Sequence, residues 1–319
     1  RRTPGPGSSR WSRRRTAQRS RATTTSSAPP TPSRRVRALA VGAALALAAA
    51  LLPAQAAAAA TPATLSVLSL GDSITQAYGT CGSFADCPRN NWSTGTSSSV
   101  NSFASRLRTA LPGTTVTTAN FATTGDVVAQ VPSRIDAAVA AGVRPDVVTL
   151  LIGGNDLCSP DNRVASDGYT MTPASTFRTG ASAAITKIRT TWPSARIVLS
   201  SMPNVASEWS VVKTGVGALV WAGGDLCRTT RGVSSTGRRL SSTAAAASAA
   251  AARTRTTQYN TALQTACSAA GQLCDWDGGA LTATPVTKGL IGTTDYFHPS
   301  VAGQAKIASI QWAASNFSK

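Results

Sequence analysis

The feature that most constrains this chain begins at residue 64, where short apolar runs start to alternate with segments of helical periodicity. The runs have the length of single strands, and two of them close on glycine, at Gly71 and at Gly153. Strands that alternate with helices build βαβ units and a parallel sheet covered on both faces. We therefore predict one α/β domain over residues 61–319.

The element boundaries follow from the same pattern and from the positions of proline and glycine. The predicted strands are 64–70, 115–122, five or six residues ending before Gly153, and 195–201. The predicted helices are 100–111, 126–142, 174–191, 243–270 and a last one from Pro299. The segment 228–257 has low complexity, and we expect an exposed loop in its first part and an extension of the next helix in its alanine-rich part.

The residues before this domain have the layout of a leader. Residues 1–33 are rich in Arg, Ser, Thr and Pro, and we predict that they are disordered. Residues 34–60 combine three arginines, a 15-residue apolar run at 38–52 and small residues, which is typical of a secretory signal peptide. The run is short for a membrane span, which needs about 20 residues, although an uncleaved anchor is the alternative. We predict a secreted, extracellular protein whose mature chain begins between Ala57 and Thr61.

The net charge of +18 belongs mostly to that leader. Residues 1–60 contain 11 arginines and no Asp, Glu or Lys, so residues 61–319 carry 31 − 11 = 20 basic and 13 acidic side chains, a net +7. These basic residues are scattered along the sequence and do not form a basic stripe with interleaved aromatic residues, which is typical of nucleic-acid-binding surfaces. We therefore predict no nucleic-acid partner. We also expect no stable membrane anchor and a monomer.

All six cysteines follow the leader. An even number of cysteines in an exported chain indicates that they form disulfides. The short spacings favour Cys81–Cys87 and Cys267–Cys274, which leaves Cys158–Cys227 as the third pair. A zinc site is the alternative, but the sequence has no CxxC pair and only one histidine. We predict three disulfides and no metal.

Polar residues follow several predicted strands, at the edge where open parallel sheets collect their functional groups. Ser73 lies on a glycine-introduced turn that we expect to lead into helical structure, Gly125 precedes a predicted helix, and Asn155 follows two glycines. His298, the only histidine in 319 residues, lies before the last helix, three residues after Asp295. Singly these are ordinary turn, cap and surface residues.

Together the five residues supply what acyl transfer needs. A serine hydroxyl requires a neighbouring base, and His298 is the only imidazole that could serve Ser73. Asp295 is placed to orient that imidazole. The Ser73 and Gly125 backbone N–H groups and the Asn155 amide could stabilise the oxyanion.

The four motifs resemble those of the SGNH hydrolases, or GDSL esterases and lipases, from about residue 64 to 317. The resemblance implies a flavodoxin-like three-layer α/β/α sandwich with a central parallel sheet. It assigns the nucleophile Ser73 in GDSI, the oxyanion residues Gly125 in TTGD and Asn155 in GGND, and the pair Asp295 and His298 in DYFH. Ile74 replaces the leucine of the family motif, a conservative change.

The resemblance implies a serine esterase without a cofactor. We expect it to act on lipid or simple acyl esters, with a carbohydrate deacetylase of the acetyl-xylan type as the alternative on the same fold. Trp92, Trp209 and Trp221 could line a sugar or acyl site, or could simply pack. A non-catalytic secreted binding protein is disfavoured because Ser73, Asn155 and His298 are all present.

Overall fold

A computed structural model of the protein describes residues 63–319. The leader and signal peptide that the sequence predicts at 1–33 and 34–60 lie outside the described residues. The fold reported below is that of the predicted α/β domain.

Five parallel strands form one sheet in the order β2-β1-β3-β4-β5. The strands are β1 (Thr64–Gly71), β2 (Thr115–Asn120), β3 (Val147–Leu151), β4 (Arg196–Leu199) and β5 (Cys274–Trp276). This order is that of flavodoxin-like doubly wound sheets. The predicted central parallel sheet is confirmed.

Ten α-helices and five short 3-10 helices surround the sheet within residues 63–319. The α-helices are α1 (Phe103–Ala110), α2 (Val131–Ala140), α3 (Gly154–Cys158), α4 (Ala174–Thr191), α5 (Val205–Val212), α6 (Val216–Gly223), α7 (Arg228–Arg231), α8 (Ser242–Ala269), α9 (Ala280–Ala283) and α10 (Val301–Ala314). The 3-10 helices are Pro88–Asn90, Val128–Gln130, Gly271–Leu273, Lys288–Leu290 and Asn316–Ser318.

Alternate side chains of the central strands enter two different cores, as the pleat of a strand requires. Leu68 and Val148 belong to the core that α2, α4 and α8 cover. Their neighbours Val67 and Val147 pack instead with Phe103 of α1 and with aromatic residues near the C-terminus. The sheet is therefore buried on both faces, and the predicted three-layer arrangement is confirmed.

The predicted bounds of helices and strands agree with the structure where the local sequence pattern is strong. The helix predicted at 174–191 has those bounds, and the alanine-rich part of 228–257 extends α8. The helix predicted from 126 begins only at Val131, because Pro132 is tolerated in the first turn and not in a helix interior. Strand β5 was not predicted.

The exposed loop expected from residue 228 is wrong for its first residues. Arg228–Arg231 forms the short helix α7, in which Thr229 and Thr230 are buried. Ser248 of α8 donates a hydrogen bond to the Thr229 carbonyl at 2.7 Å. Contacts with a distant helix, rather than local periodicity, order this segment.

Three disulfides join Cys81 to Cys87, Cys158 to Cys227 and Cys267 to Cys274. These are the pairs that the sequence spacing predicts. The second bridge ties α3, which follows β3, to the start of α7. Between residues 63 and 319, no helix has the length and apolar character that crossing a membrane requires.

Removing the Cys158–Cys227 bridge should destabilise the protein more than removing a local bridge. Its cysteines are 69 positions apart, whereas Cys267 and Cys274 are separated by 7. Loop entropy predicts a loss of about 4 kcal/mol for the long loop and about 2.5 kcal/mol for the short one. Urea unfolding of the two double Cys→Ala variants measures both losses, and an equal loss would contradict the expectation.

Candidate active site

The turn after β1 requires glycine at its first position. Gly71 has φ +144°, and a Cβ at this position would lie 2.4 Å from the Leu151 carbonyl oxygen of β3. The chain then turns so that the Asp72 Oδ1 accepts the Ile74 N–H at 2.9 Å. Ser73, only 5% exposed, is thereby held at the carboxyl end of the sheet.

The helical structure expected after Ser73 is wrong. Residues 73–81 form consecutive turns, and Ala77 has φ +53°, a left-handed conformation that a right-handed helix cannot contain. The serine is therefore presented by a turn alone.

His298 connects Ser73 with Asp295. The His298 Nε2 lies 2.7 Å from the Ser73 Oγ, and the Nδ1 lies 2.5 Å from the Asp295 Oδ2. The backbone N–H groups of Phe297 and His298 each donate to the Asp295 Oδ1 at 3.0 Å. The three side chains that the sequence singled out thus form one continuous hydrogen-bonded line.

Aromatic side chains fix the orientation of the imidazole. The rings of Tyr78 and Phe297 lie 4.9 and 5.0 Å from the His298 ring, centroid to centroid. Tyr296, two residues before His298, has φ +54°. Its carbonyl accepts a hydrogen bond from the indole N–H of buried Trp221 at 2.7 Å. Packing therefore holds the backbone that carries His298 in an unusual conformation.

The hydrogen bonds around Asp295 determine the tautomer of His298. Burial by itself would raise the pKa of Asp295, but the hydrogen bond from His298, the positive charge of this ring when it is protonated, and the two backbone N–H groups lower the pKa below its ordinary value. An ionised carboxylate can only accept, so the Nδ1 of His298 carries the proton. The Nε2 lone pair then faces the Ser73 hydroxyl, which donates to it.

Asn155 is anchored to the loop that carries Gly125. The Asn155 side-chain amide donates one hydrogen bond to the Asp126 carbonyl at 2.9 Å. The Asp126 carboxylate is in turn held by Arg134 of α2, with both contacts at 2.7 Å. Gly125 has φ +91° and directly precedes Asp126, so its loop is tied to Asn155.

A small cleft contains most of the predicted site residues. Its lining consists of Asp72, Ser73, Ile74, Gly154, Asn155, Pro203, Val205, Glu208, Phe297 and His298. Gly125 does not line this cleft, and Asp295 lies behind His298. Ser73, Asn155 and His298 therefore face one space that a reacting group could occupy.

Three buried carboxyl groups near the site were not predicted as site residues. Burial raises the pKa of Asp72 to about 7, of Asp156 to about 6 and of Glu208 to about 8. The charge of Asp295 adds to the shift at Glu208. Among the described residues, the Asp72 Oδ2 and the Asp156 Oδ1 have no hydrogen-bond partner.

One signal in the sequence could have drawn attention to Glu208. It is the only glutamate in the chain, and it is placed next to a tryptophan in an apolar segment. No comparable signal marks Asp72 or Asp156, because aspartates are common in turns.

The tryptophans considered as ligand contacts mostly pack. Trp92 and Trp221 are fully buried, and the Trp92 indole N–H donates to the Thr75 Oγ1 at 3.2 Å. Trp209 is partly exposed and packs against Trp221, with the ring centroids 5.2 Å apart. None of the three lines the cleft.

The sequence matches the model of one protein family over residues 69–306, and that family is described as the GDSL-like lipase/acylhydrolase family. The match contains Ser73, Asn155 and His298. No curated protein sequence matches the chain significantly.

Solved structures with similar chains include several esterases. A lipase/acylhydrolase from Enterococcus faecalis is 18% identical, with 77% of this chain and 92% of that chain covered and a TM-score of 0.47. An acetyl xylan esterase variant from Geobacillus stearothermophilus is 17% identical, with 81% and 98% covered and a TM-score of 0.48. An α/β hydrolase from the metagenome of Lake Arreo, Spain, is 17% identical, with 80% and 96% covered and a TM-score of 0.48.

The buried carboxyl of Glu208 should make stability depend on pH. Since its pKa is raised from 4.5 to about 8, the folded state holds a proton that the unfolded state releases. The stability that this group contributes is complete below pH 4.5 and is lost as the pH rises towards 8. In Glu208→Gln this loss should disappear, so the free energy of unfolding of the variant relative to wild type should increase between pH 5 and 8.

Urea unfolding at several pH values measures this difference. The increase should be at most about 1.4 kcal/mol per pH unit. Asp136→Asn, which removes a carboxylate whose side chain is 64% exposed, is the matched control. Parallel pH profiles for wild type and Glu208→Gln would contradict the expectation.

Proposed function

Because this chain belongs to the GDSL-like lipase/acylhydrolase family, we propose that it is a secreted serine esterase that hydrolyses carboxylic esters through Ser73, His298 and Asp295. The observation that carries the proposal is the hydrogen-bonded line from the Ser73 Oγ to the His298 Nε2 (2.7 Å) and from the His298 Nδ1 to the Asp295 Oδ2 (2.5 Å). Residues 225 positions apart meet at hydrogen-bond distance. Such an arrangement activates a serine for nucleophilic attack.

The mechanism follows from the protonation states. The Ser73 oxygen attacks the ester carbonyl carbon while the His298 Nε2 takes the hydroxyl proton. Asp295 stabilises the imidazolium that results. His298 then gives the proton to the departing alkoxide, which leaves as an alcohol, and an acyl-serine remains. Water, activated by His298, releases the acid and restores Ser73.

Backbone and side-chain donors stabilise the tetrahedral intermediate in this proposal. Asn155 uses one amide hydrogen to bond to the Asp126 carbonyl, and its second amide hydrogen has no partner among the described residues. In this proposal that hydrogen and the Ser73 N–H are donors for the oxyanion. Gly125 does not line the cleft, and its N–H serves as the third donor through the loop that the Asp126 carbonyl ties to Asn155. Arg134 acts indirectly, by holding the Asp126 carboxylate.

We propose lipid or simple acyl esters as the substrates. The support is the apolar part of the cleft wall, which Ile74, Val205 and Phe297 form. A panel of p-nitrophenyl esters from acetyl to palmitoyl, run beside phospholipid and acetylated xylan, tests this class. Release of acetate from xylan faster than hydrolysis of any acyl ester would favour the deacetylase instead.

Replacing Ser73 or His298 should each remove nearly all esterase activity. The nucleophile and its base act as a unit, so the Ser73→Ala/His298→Ala double variant should be scarcely worse than either single variant. Ester hydrolysis under saturating substrate measures kcat, and a fluorophosphonate probe should label wild type and not Ser73→Ala. His298→Ala that keeps more than about a tenth of kcat would overturn the mechanism, since a general base contributes about 10² to 10⁴.

Asn155→Ala should lower kcat by about 10² to 10³ with little change in KM, because one oxyanion donor is lost while the backbone donors remain. Asn162→Ala is the control, since Asn162 donates to the carbonyls of Asn155 and Asp156 and does not line the cleft. Equal losses in the two variants would indicate a structural effect instead.

We also propose that the protein is exported. Its three disulfides support this, because disulfides persist in oxidising compartments. N-terminal sequencing of the protein from culture medium should find a first residue between Ala57 and Thr61. A membrane-bound enzyme that retains residues 34–52 would contradict export by cleavage.

A further inference from the structure

Tyr78 connects the turn that carries Ser73 with the ring of His298. The Tyr78 backbone N–H donates to the Ser73 carbonyl at 3.1 Å. The Tyr78 side chain lies against the imidazole, with the ring centroids 4.9 Å apart and the ring planes inclined by 48°. Tyr78 therefore contacts both the residue of the nucleophile and the base of the proposed reaction, although it supplies no group that reacts.

The segment that carries Tyr78 is fixed in this position by bonds near and far in sequence. The Cys81–Cys87 disulfide crosslinks it. The Thr294 hydroxyl, 215 positions after Gly79, donates to the Gly79 carbonyl at 2.8 Å. These bonds hold the Tyr78 ring beside His298.

The imidazole and its carboxylate are largely shielded from water. The side chain of His298 is 12% exposed and that of Asp295 is 9% exposed. The attraction between a cation and an aromatic ring acts within about 6 Å of the ring centroid, and it becomes stronger where water is excluded. The Tyr78 and His298 rings satisfy both conditions.

Tyr78 offers the imidazole an uncharged aromatic ring. Burial, followed by the negative charges of Asp295 and Asp86, raises the pKa of the Tyr78 hydroxyl, so the phenol keeps its proton at neutral pH. Within residues 63–319, the other ionisable groups that face the imidazole are Asp295 behind it and Asp72 and Glu208 in the cleft. Asp295 supplies a negative charge and Tyr78 an aromatic face, and both attract a protonated imidazole.

The imidazole becomes positive only during the proposed reaction. His298 is neutral before Ser73 attacks, and it carries the serine proton in the tetrahedral intermediate. A contact that favours the protonated ring is therefore stronger in the transition state than in the resting enzyme. Such a contact raises kcat.

We propose that Tyr78 is a positioning residue for His298: its ring holds the imidazole in line with Ser73 and Asp295, and its aromatic face stabilises the imidazolium that forms during acyl transfer. This inference rests on the proposed esterase function and adds a residue to that site. Tyr78 does not line the cleft, so its effect passes through His298.

His298 can be observed alone, because it is the only histidine in the chain. Protein purified without a histidine tag should give one imidazole Hε1 resonance, whose titration proton NMR follows without substrate. Tyr78→Leu removes the aromatic face, so this resonance should titrate about 0.4 to 1.5 pH units lower than in wild type. The pH profile of kcat/KM on p-nitrophenyl butyrate should shift in the same direction. The plateau kcat should fall about twofold to thirtyfold, with little change in KM.

Two further variants separate the charge distribution of the ring from its shape. Tyr78→Phe keeps an aromatic face and should remain within about twofold of the wild-type kcat. Replacement of Tyr78 by a ring-fluorinated phenylalanine keeps the shape but withdraws electron density from the face, so the titration should again move to lower pH. Because this replacement preserves packing, it decides the question even where Tyr78→Leu unfolds the protein.

Phe84→Leu is the matched control. Phe84 belongs to the same crosslinked segment and is 68% exposed, so its replacement should change neither the titration nor kcat. An unchanged titration in both Tyr78→Leu and the fluorinated variant would overturn the proposal. A fall in kcat without a shift of the titration would do the same, because it would show that Tyr78 only packs.

The esterase function can fail separately from this contact. Wild type that hydrolyses no ester and is not labelled by the fluorophosphonate probe, while the NMR titration shifts as expected, would overturn the esterase function. The contact between Tyr78 and the protonated ring would then still stand.

Discussion

The pairing of Gly71 with Leu151, where β1 and β3 end side by side, is the constraint on which the site depends. Because Gly71 has no Cβ, the two strands can approach closely and the chain can turn at once towards Ser73. Asn155 follows Leu151 by four residues, on the neighbouring strand end. The Thr123 N–H donates to the Gly71 carbonyl at 3.0 Å, which brings the loop of Gly125 to the same edge.

Near that edge of the sheet, the pKa values of carboxyl groups are shifted in opposite directions by their surroundings. Asp295 receives hydrogen bonds from the imidazole and two backbone N–H groups, and its pKa is lowered. Asp72 and Glu208 receive fewer, so burial dominates and raises their pKa values to about 7 and about 8. At neutral pH Asp295 therefore keeps its negative charge behind His298, whereas Glu208 is mostly protonated.

The fold could be predicted mainly where local pattern and tertiary structure agree. The strand ending at Gly71 and the helix at 174–191 have strong periodicity and clear boundaries. Strand β5 has three residues, and its buried Asp275 pairs with Arg196 of β4 at 2.8 Å and accepts hydrogen bonds from Asn316. Thr229 in α7 is ordered in the same way, by contact with α8. No local pattern in the sequence reports such partners.

For the site, the sequence by itself determined the chemical groups and their order along the chain. Ser73, Asn155 and His298 could be named because turn glycines and strand ends are local features, and because no second histidine exists. Only the tertiary structure decided that the His298 ring meets Ser73, and that Glu208 is buried beside the same cleft. The reason is physical: burial, and with it the pKa of a carboxyl, depends on packing between segments that are distant in sequence.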